Sequence, residues 1–352
     1  MYAILKYFFV LFILVFSSCQ YIHKKIDVYS IEDMKKEIFA DFEAGNPEKL
    51  KLYIDSLNIV DDTEPLFLEQ IEIRKRKNWS LKSKIKCDLT ETVISFPSFL
   101  SKNIPGDSAR FYSYQISDFE NSKTILWVPG FGVSDKAFHL IKHIFIEELK
   151  QGYNVIVYIP PYHLDRKLPG KSDGDGFFSA NLQQNLFTSF EQLREIRTIN
   201  LFLKKQGIKE LSAWGGSMGA STVLLSSKFT NYQHICLMIP VINWQTVILG
   251  NNHFKSMVDS LNKHGFDSIT IAKAFNKMSP TAYRLPVMPD NMFVQYAKYD
   301  QLSSESDILS FIKENSITKV KAYNTGHATI LLSKCVYEDY AAFLNSINES
   351  SL

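Results

Sequence analysis

Two patterns of hydrophobic and polar positions run along this chain. Short apolar runs recur from about residue 90 onwards, and stretches with apolar residues at helical spacing separate most of them. These runs predict eight strands, at 91–97, 110–116, 124–128, 154–159, 210–214, 234–239, 292–297 and 318–323. Strands that alternate with helices favour a mostly parallel eight-stranded sheet with helices on both faces, which is a three-layer α/β architecture.

Two regions depart from this alternation. Residues 19–88 carry helical patterns around 31–41 and 47–56, and we interpret them as a helical extension that precedes a domain at 89–352. The interval from about 243 to 290 lacks a clear strand and has apolar residues at roughly helical spacing. We therefore predict that it forms a helical cap inserted into the domain.

The N-terminus has the pattern of an export signal. Lys6 precedes ten uninterrupted apolar residues at 7–16, and Ser17, Ser18 and Cys19 follow. The run is too short for a typical membrane-spanning helix. It resembles a bacterial lipoprotein signal, which implies that residues 1–18 are removed and that Cys19 becomes the lipidated first residue. The protein would then be exported and anchored to a membrane of the bacterial cell envelope, and an uncleaved anchor is the alternative.

A pentapeptide of the form G-x-S-x-G, at residues 215–219, makes Ser217 a candidate nucleophile. A predicted strand precedes it, and apolar residues at helical spacing follow it. On such a strand-to-helix turn the serine is lifted clear of the sheet, and flanking side chains larger than hydrogen would collide with the adjoining elements. The alternative is a Gly/Ser turn between two core elements.

Two residues at later strand ends complete a candidate triad. Asp300 follows the predicted strand 292–297, and His327 follows the predicted strand 318–323. Because ligands gather at the carboxyl ends of parallel strands, these residues are expected to meet Ser217. Glu305 and Asp307 compete with Asp300, but their position favours solvated charges at the start of the next helix.

An oxyanion hole is predicted beside the nucleophile. The apolar strand 124–128 is broken by a Pro-Gly-Phe-Gly sequence at 129–132, where backbone has to approach a ligand closely. We expect the N–H groups of Phe131 and Met218 to bind the developing negative charge. The alternative is a plain connection from strand to helix.

These four stretches occur in the order found in one superfamily. Residues from about 90 to 345 resemble the alpha/beta-hydrolase superfamily of serine hydrolases. Two segments, PPYHLDRKLP at 160–169 and LMIPVINW at 237–244, give a looser likeness to its abhydrolase-domain branch numbered eighteen. The chain departs from the commonest superfamily pattern at Pro129, where a histidine often precedes the oxyanion glycine. The resemblance implies the three-layer hydrolase fold and an acyl-enzyme reaction.

Composition and charge narrow the functional classes. A formal net charge of +2 gives no argument for nucleic acid, and no metal-ligand spacing or cofactor motif occurs. Seven basic residues between 74 and 86 would suit an anionic membrane surface, although a solvated face is favoured. We therefore predict a serine hydrolase that cleaves a carboxylic ester, with lipid-like or acylated substrates ranked first and no cofactor. Among enzymes, an acyltransferase or a peptidase is the alternative. Outside them, the alternative is a membrane-tethered, non-catalytic binding or scaffold lipoprotein of the same fold.

Overall fold

The computed structural model describes residues 20–39, 45–65, 67–80, 88–102, 107–120, 122–286 and 288–350. The predicted signal segment at 1–18 and the predicted lipidation site Cys19 lie outside these residues. None of the helices in the described ranges is both long enough and apolar enough to span a bilayer.

A single sheet forms the centre of the described part of the chain. Its strands are β1 (Glu72–Ser80), β2 (Asp88–Pro97), β3 (Ser108–Gln115), β4 (Lys123–Val128), β5 (Tyr153–Ile159), β6 (Glu210–Gly216), β7 (Ile235–Met238), β8 (Met292–Ala297) and β9 (Lys319–Tyr323). Their spatial order is β1-β2-β3-β5-β4-β6-β7-β8-β9. The pairings from β5 through β9 are parallel, and those among β1, β2, β3 and β5 are antiparallel. The prediction of a mostly parallel sheet is thus confirmed.

The sheet has nine strands rather than the predicted eight. The extra strand is β1, which pairs antiparallel with β2 at the edge of the sheet, in a region where the sequence predicts a helical extension. Consecutive charged residues, including Arg74 and Lys75, hide the strand, because they give no alternation of apolar and polar positions. Both are exposed, as expected of an edge strand whose charges discourage pairing with another chain.

Helices cover both faces of this sheet. They are α1 (Gln20–Phe39), α2 (Pro47–Ser56), α3 (Asp135–Lys150), α4 (Leu182–Lys205), α5 (Met218–Ser226), α6 (Lys255–Lys263), α7 (Ser268–Lys277), α8 (Glu305–Glu314) and α9 (Lys334–Ser350). The apolar residues of α3 and α9 pack on one face, and those of α4, α5 and α8 pack on the other. A third apolar cluster joins α2, the beginning of α4 and the two helices α6 and α7 of the predicted cap.

The first two helices differ in how well the sequence predicts them. Helix α2 begins at Pro47, where the side chain of Asn46 accepts a hydrogen bond from the Lys49 N–H at 3.0 Å. Helix α1 begins at Gln20, well before the predicted residue 31. Its early turns bury polar residues, His23 and Asp27, which interrupt the apolar periodicity on which the prediction depended.

Candidate active site

Ser217 lies on a strained turn between β6 and α5. Its φ and ψ angles are 51° and −118°, a conformation that few non-glycine residues adopt, and its N–H donates to the Met238 carbonyl at 2.9 Å. Two residues on, Gly219 packs against the end of β4, where a Cβ atom would lie 1.9 Å from the Val128 carbonyl oxygen. Only glycine fits there, as the steric argument from the sequence requires.

The structure brings the three candidate triad residues together. Ser217 Oγ lies 2.8 Å from His327 Nε2, and His327 Nδ1 lies 2.7 Å from Asp300 Oδ2. With Nδ1–H donating to the carboxylate, Nε2 is free to accept the serine proton. The side chain of Asp300 is 2% exposed and that of His327 is 15% exposed, so the ring reaches the substrate side while the carboxylate stays buried.

Asp300 is fixed by the loop that follows β8. Its second oxygen, Oδ1, accepts the N–H groups of Leu302 at 2.7 Å and Ser303 at 2.8 Å. The competing carboxylates, Glu305 and Asp307, lie in the first turn of α8, whose N-cap is Ser304. Their place at the helix N-terminus is the one that the sequence favoured for them.

The electrostatic surroundings raise the pKa of His327 above its usual value of 6.5. Burial works in the opposite direction, but the charge of Asp300, its hydrogen bond and the charge of Asp27 outweigh it. These surroundings therefore stabilise the imidazolium form of His327 relative to the neutral ring.

The predicted oxyanion donors lie on both sides of Ser217. Phe131 belongs to the loop after β4, and Met218 is the first residue of α5, where the N–H groups have no carbonyl partner one turn earlier. In the same loop, the Gly132 N–H is occupied, because it donates to His163 Nε2 at 2.8 Å. Phe131, the residue before it, stays the predicted donor of that loop.

His163 was not predicted as a site residue, yet it supports the oxyanion loop. It is buried, which lowers its pKa to about 4, so the ring is neutral. Nδ1–H donates to the Pro161 carbonyl at 2.7 Å, and Nε2 is thereby left to accept from Gly132. This contact supports the loop by a side chain from elsewhere, since the loop itself has Pro129 where a histidine often stands. The segment at 160–169, quoted in the sequence analysis for its resemblance, is the signal that could have pointed to His163.

A buried ion-pair network holds the loop that carries His163. Arg166 donates to both carboxylate oxygens of Asp107, at 2.9 and 2.7 Å, and to both of Glu195, at 2.8 and 2.9 Å. It also donates to the Ile159 carbonyl, the last residue of β5. Two bidentate pairs fix the guanidinium plane, so the loop after β5 has little freedom to move.

Asp27 is the second site residue that sequence analysis missed. It lies on α1 and accepts hydrogen bonds from the N–H groups of Gln301 at 3.2 Å, His327 at 2.6 Å and Ala328 at 3.0 Å. No motif marks it, and its partners are about three hundred residues away. Only the tertiary structure reveals the contact.

Two cavities meet at Ser217. The first, of about 420 Å³, lies towards α1 and is lined by Asp27, Ile31, Asp33, Asp173 and the loop 129–133. The second, of about 30 Å³, lies beneath the cap and is mostly apolar. Its cap-side lining comprises Trp244, Ile248, Phe254, Met257 and Phe275. Phe131, Ser217 and Leu302 line both cavities and form the divide between them.

Across the described ranges, no group of three or more His, Cys, Asp or Glu side chains is arranged to hold a metal ion.

Comparisons with known proteins bear on the fold. No family model matches the sequence, and no curated protein matches it either. Among solved structures, an acetyl xylan esterase from Paenibacillus sp. R4 is 10% identical, covers 87% of this chain and 96% of its own, and has a TM-score of 0.57. An esterase from Pyrococcus furiosus is 18% identical over 78% of this chain and 97% of its own, with a TM-score of 0.49. An esterase from Pyrobaculum calidifontis is 13% identical over 88% and 95%, with a TM-score of 0.46.

The Paenibacillus comparison and the sheet order together show that the chain has the alpha/beta-hydrolase fold. The fold predicted from the sequence is thus confirmed, with nine strands in place of eight. The narrower likeness to the branch numbered eighteen stays a prediction.

Proposed function

We propose that this protein is a serine hydrolase that cleaves a carboxylic ester through an acyl-enzyme intermediate. The observation that carries the proposal is the continuous hydrogen-bonded path from Ser217 Oγ through His327 to Asp300, with the serine on a strained turn at a helix N-terminus. A strained, polar and half-buried arrangement of this kind is costly to keep for packing alone, which argues against a purely scaffolding role.

In the proposed reaction, Ser217 Oγ attacks the ester carbonyl carbon as His327 Nε2 takes the hydroxyl proton. The N–H groups of Phe131 and Met218 receive the negative charge on the carbonyl oxygen. The bond to the alcohol then breaks, and His327 returns the proton to the departing alkoxide. Water attacks the acyl-enzyme by the same sequence of proton transfers and releases the acid.

The decisive test pairs Ser217→Ala with the control Ser256→Ala, an exposed serine on α6. Ser217→Ala should lower kcat for an activated ester by about 10⁴-fold or more while the melting temperature is retained. A fluorophosphonate probe should label the wild type and Ser256→Ala but not Ser217→Ala. A wild type that neither turns over esters nor takes the probe would instead favour the non-catalytic lipoprotein.

The two cavities support a proposal about the substrate. The sequence favours lipid-like or acylated substrates, and the cavity volumes favour the acylated class. The cap-side cavity of about 30 Å³ has room for about two or three water-sized groups, so it suits an acetyl or propionyl group. The 420 Å³ cavity then receives a much larger alcohol. The proposed substrate is therefore a short-chain acyl ester of a bulky alcohol.

This substrate proposal is tested by two ester series. In the first, the alcohol is fixed and the acyl group runs from acetyl to octanoyl; kcat/KM should fall by at least tenfold after propionyl, since each misfit methylene costs roughly 1–3 kcal/mol. In the second, the acyl group is acetyl and the alcohol grows. A preference for octanoyl over acetyl would overturn the short-acyl assignment and favour lipid-like esters.

The proposed place of action is a membrane surface, with a lipid on Cys19. The signal-like pattern at 1–18 supports this placement. Helix α1 begins at Gln20, and Asp27 lies only about 10 Å further along its axis, so a lipid on Cys19 would hold the larger cavity near the membrane. Mass spectrometry of the mature N-terminus should find a lipidated Cys19 as the first residue. An intact Met1 or an unmodified Cys19 would contradict this assignment.

A further inference from the structure

Helix α1 reaches the catalytic loops through one buried carboxylate. Asp27 is 1% exposed. Its Oδ2 accepts the N–H groups of His327 and Gln301, and its Oδ1 accepts the N–H of Ala328. Gln301 directly follows Asp300, so the two loops that carry the acid and the base are joined by a single side chain.

A second contact from α1 lies beside the first. His23 Nδ1 is 2.7 Å from Thr329 Oγ1, which in turn accepts the Gly326 N–H at 2.9 Å. The ring of His23 also stacks on Tyr299, with 6.0 Å between centroids. Helix α1 therefore contacts the His327 loop and the Asp300 loop through His23 and Asp27, which lie one helical turn apart.

The burial of Asp27 is not explained by an ion pair. Within the described ranges, no lysine or arginine forms a salt bridge with it, and an unpaired buried charge is costly. An apolar residue would dock the helix without that cost. What the carboxylate supplies, and an apolar residue does not, is an acceptor for three loop N–H groups and a negative charge near the imidazole.

The loop is shaped to receive this carboxylate. A Cβ atom on Gly326 would lie 2.7 Å from both oxygens of Asp27, so any larger residue would displace it. Gly326 is buried and directly precedes His327. The space that the missing side chain leaves is occupied by Asp27.

We propose that Asp27 is a positioning residue of the active site, which clamps the Asp300 and His327 loops together and places a second negative charge behind the imidazole. Helix α1 thus completes a site whose other named parts all lie after residue 128. The inference rests on the proposed function, because it assigns Asp27 an effect on the reaction that Ser217, His327 and Asp300 perform. The clamp itself is a property of the fold and can be measured without turnover.

The charges around His327 set the expected pH dependence. They are the carboxylates of Asp300, in the loop after β8, and of Asp27, on α1. The other ionisable side chains beside them are those of His23 on α1 and Tyr299 next to Asp300. His327 acts as a base only when neutral, so activity is lost as the pH falls through its pKa. Asp27 is one of the groups that raise this pKa, and Asp27→Asn should move the acid limb of kcat/KM to lower pH.

The first experiment compares Asp27→Asn with Glu32→Gln, which removes a charge from the same helix. Asp27→Asn should lower kcat about ten- to a hundredfold with little change in KM, because the loops lose their clamp and the triad its geometry. The acid limb should move to lower pH in this variant alone. If Asp27→Asn lowered the plateau of the pH profile of kcat/KM but did not move its acid limb, Asp27 would only dock the helix. That result would overturn the proposal.

Gly326 offers a second, independent variant. Gly326→Ala should lower kcat in the wild type, since the new methyl group displaces the Asp27 carboxylate. In an Asp27→Ala background the same change should cost less than a third as much, because the collision has been removed. Equal effects in both backgrounds would contradict the clamp.

The last measurement separates this proposal from the proposed function. The imidazole of His327 is titrated by NMR in Ser217→Ala and in Ser217→Ala/Asp27→Asn, neither of which needs to turn over an ester. A lower pKa in the double variant supports the clamp even if no ester proves to be a substrate. An unchanged pKa overturns it even if the protein is an active esterase.

Discussion

The two walls of the candidate active site differ in polarity and in the room that they leave. The cap wall is built from large apolar side chains, including Trp244 and Met257, and it leaves about 30 Å³ beside Ser217. The α1 wall borders about 420 Å³ and carries carboxylates. A tight apolar wall discriminates by volume, whereas a roomy polar wall tolerates many shapes. Under the proposed function, the difference implies that one half of the ester is selected by its volume, whereas the other half can take many shapes.

The largest effect is expected from a change in the catalytic triad that leaves both walls of the site unchanged. Asp300→Asn keeps the shape of the site but holds the imidazole in the wrong tautomer, so kcat should fall by about 10³–10⁴-fold. The loss should be equal for all acyl groups and all alcohols, since neither wall changes. Glu305→Gln, on the first turn of α8, should have little effect on steady-state kinetics. A larger loss in Glu305→Gln than in Asp300→Asn would move the acid to the helix.

A smaller effect is expected when the cap wall is opened. Met257→Ala should raise kcat/KM for butyryl relative to acetyl esters by about ten- to two-hundredfold, because the apolar cavity gains room for the chain. Selectivity for the alcohol should not change.

Leu261→Ala is the matched control for this change. Leu261 is buried on the same helix, α6, but does not line the cavity. Both variants should lose about 2–5 kcal/mol of unfolding free energy, as large-to-small core substitutions do, and should therefore have a lower melting temperature. If Leu261→Ala altered acyl selectivity as much as Met257→Ala, a loosened cap rather than the cavity volume would explain it.

The smallest effect is expected at the α1 wall. Ile31→Ala should raise KM for bulky alcohols about two- to fivefold, because a partly buried contact of one or two methylene groups contributes roughly 0.5–1 kcal/mol. Acyl selectivity should stay the same. Ile26→Ala, exposed on the same helix, should leave both unchanged in the same assay. If Ile31→Ala instead lowered activity only for esters with long acyl chains, the acyl group would have to be assigned to the larger cavity and the alcohol to the smaller one.

The two walls also differ in how far the sequence predicts them. The cap was predicted from apolar residues at helical spacing, and the eight strands were predicted from short apolar runs such as 124–128. Ser217, Asp300 and His327 could be named because each stands at a strand end in a recognisable order. Their side chains do meet, but their catalytic role stays a prediction until a variant is assayed.

What the sequence could not predict depends on tertiary contacts. The charged edge strand β1 has no alternation, because both its faces are largely polar where it is described. His163 supports the oxyanion loop from another strand end, and nothing local marks its partner Gly132. Asp27 lies in a stretch of weak periodicity, and the residues that explain its burial are at the far end of the chain.

The clamp formed by Asp27 has a consequence for folding. Its hydrogen bonds to Gln301, His327 and Ala328 join residues 274, 300 and 301 positions apart. Contacts of such long range form late, since the entropy of closing the loop has to be repaid by structure already in place. Helix α1 precedes these loops along the chain, so its contacts with them can form only after residues 301–328 have been synthesised. During synthesis, the proposed clamp is therefore incomplete until the chain has reached Ala328.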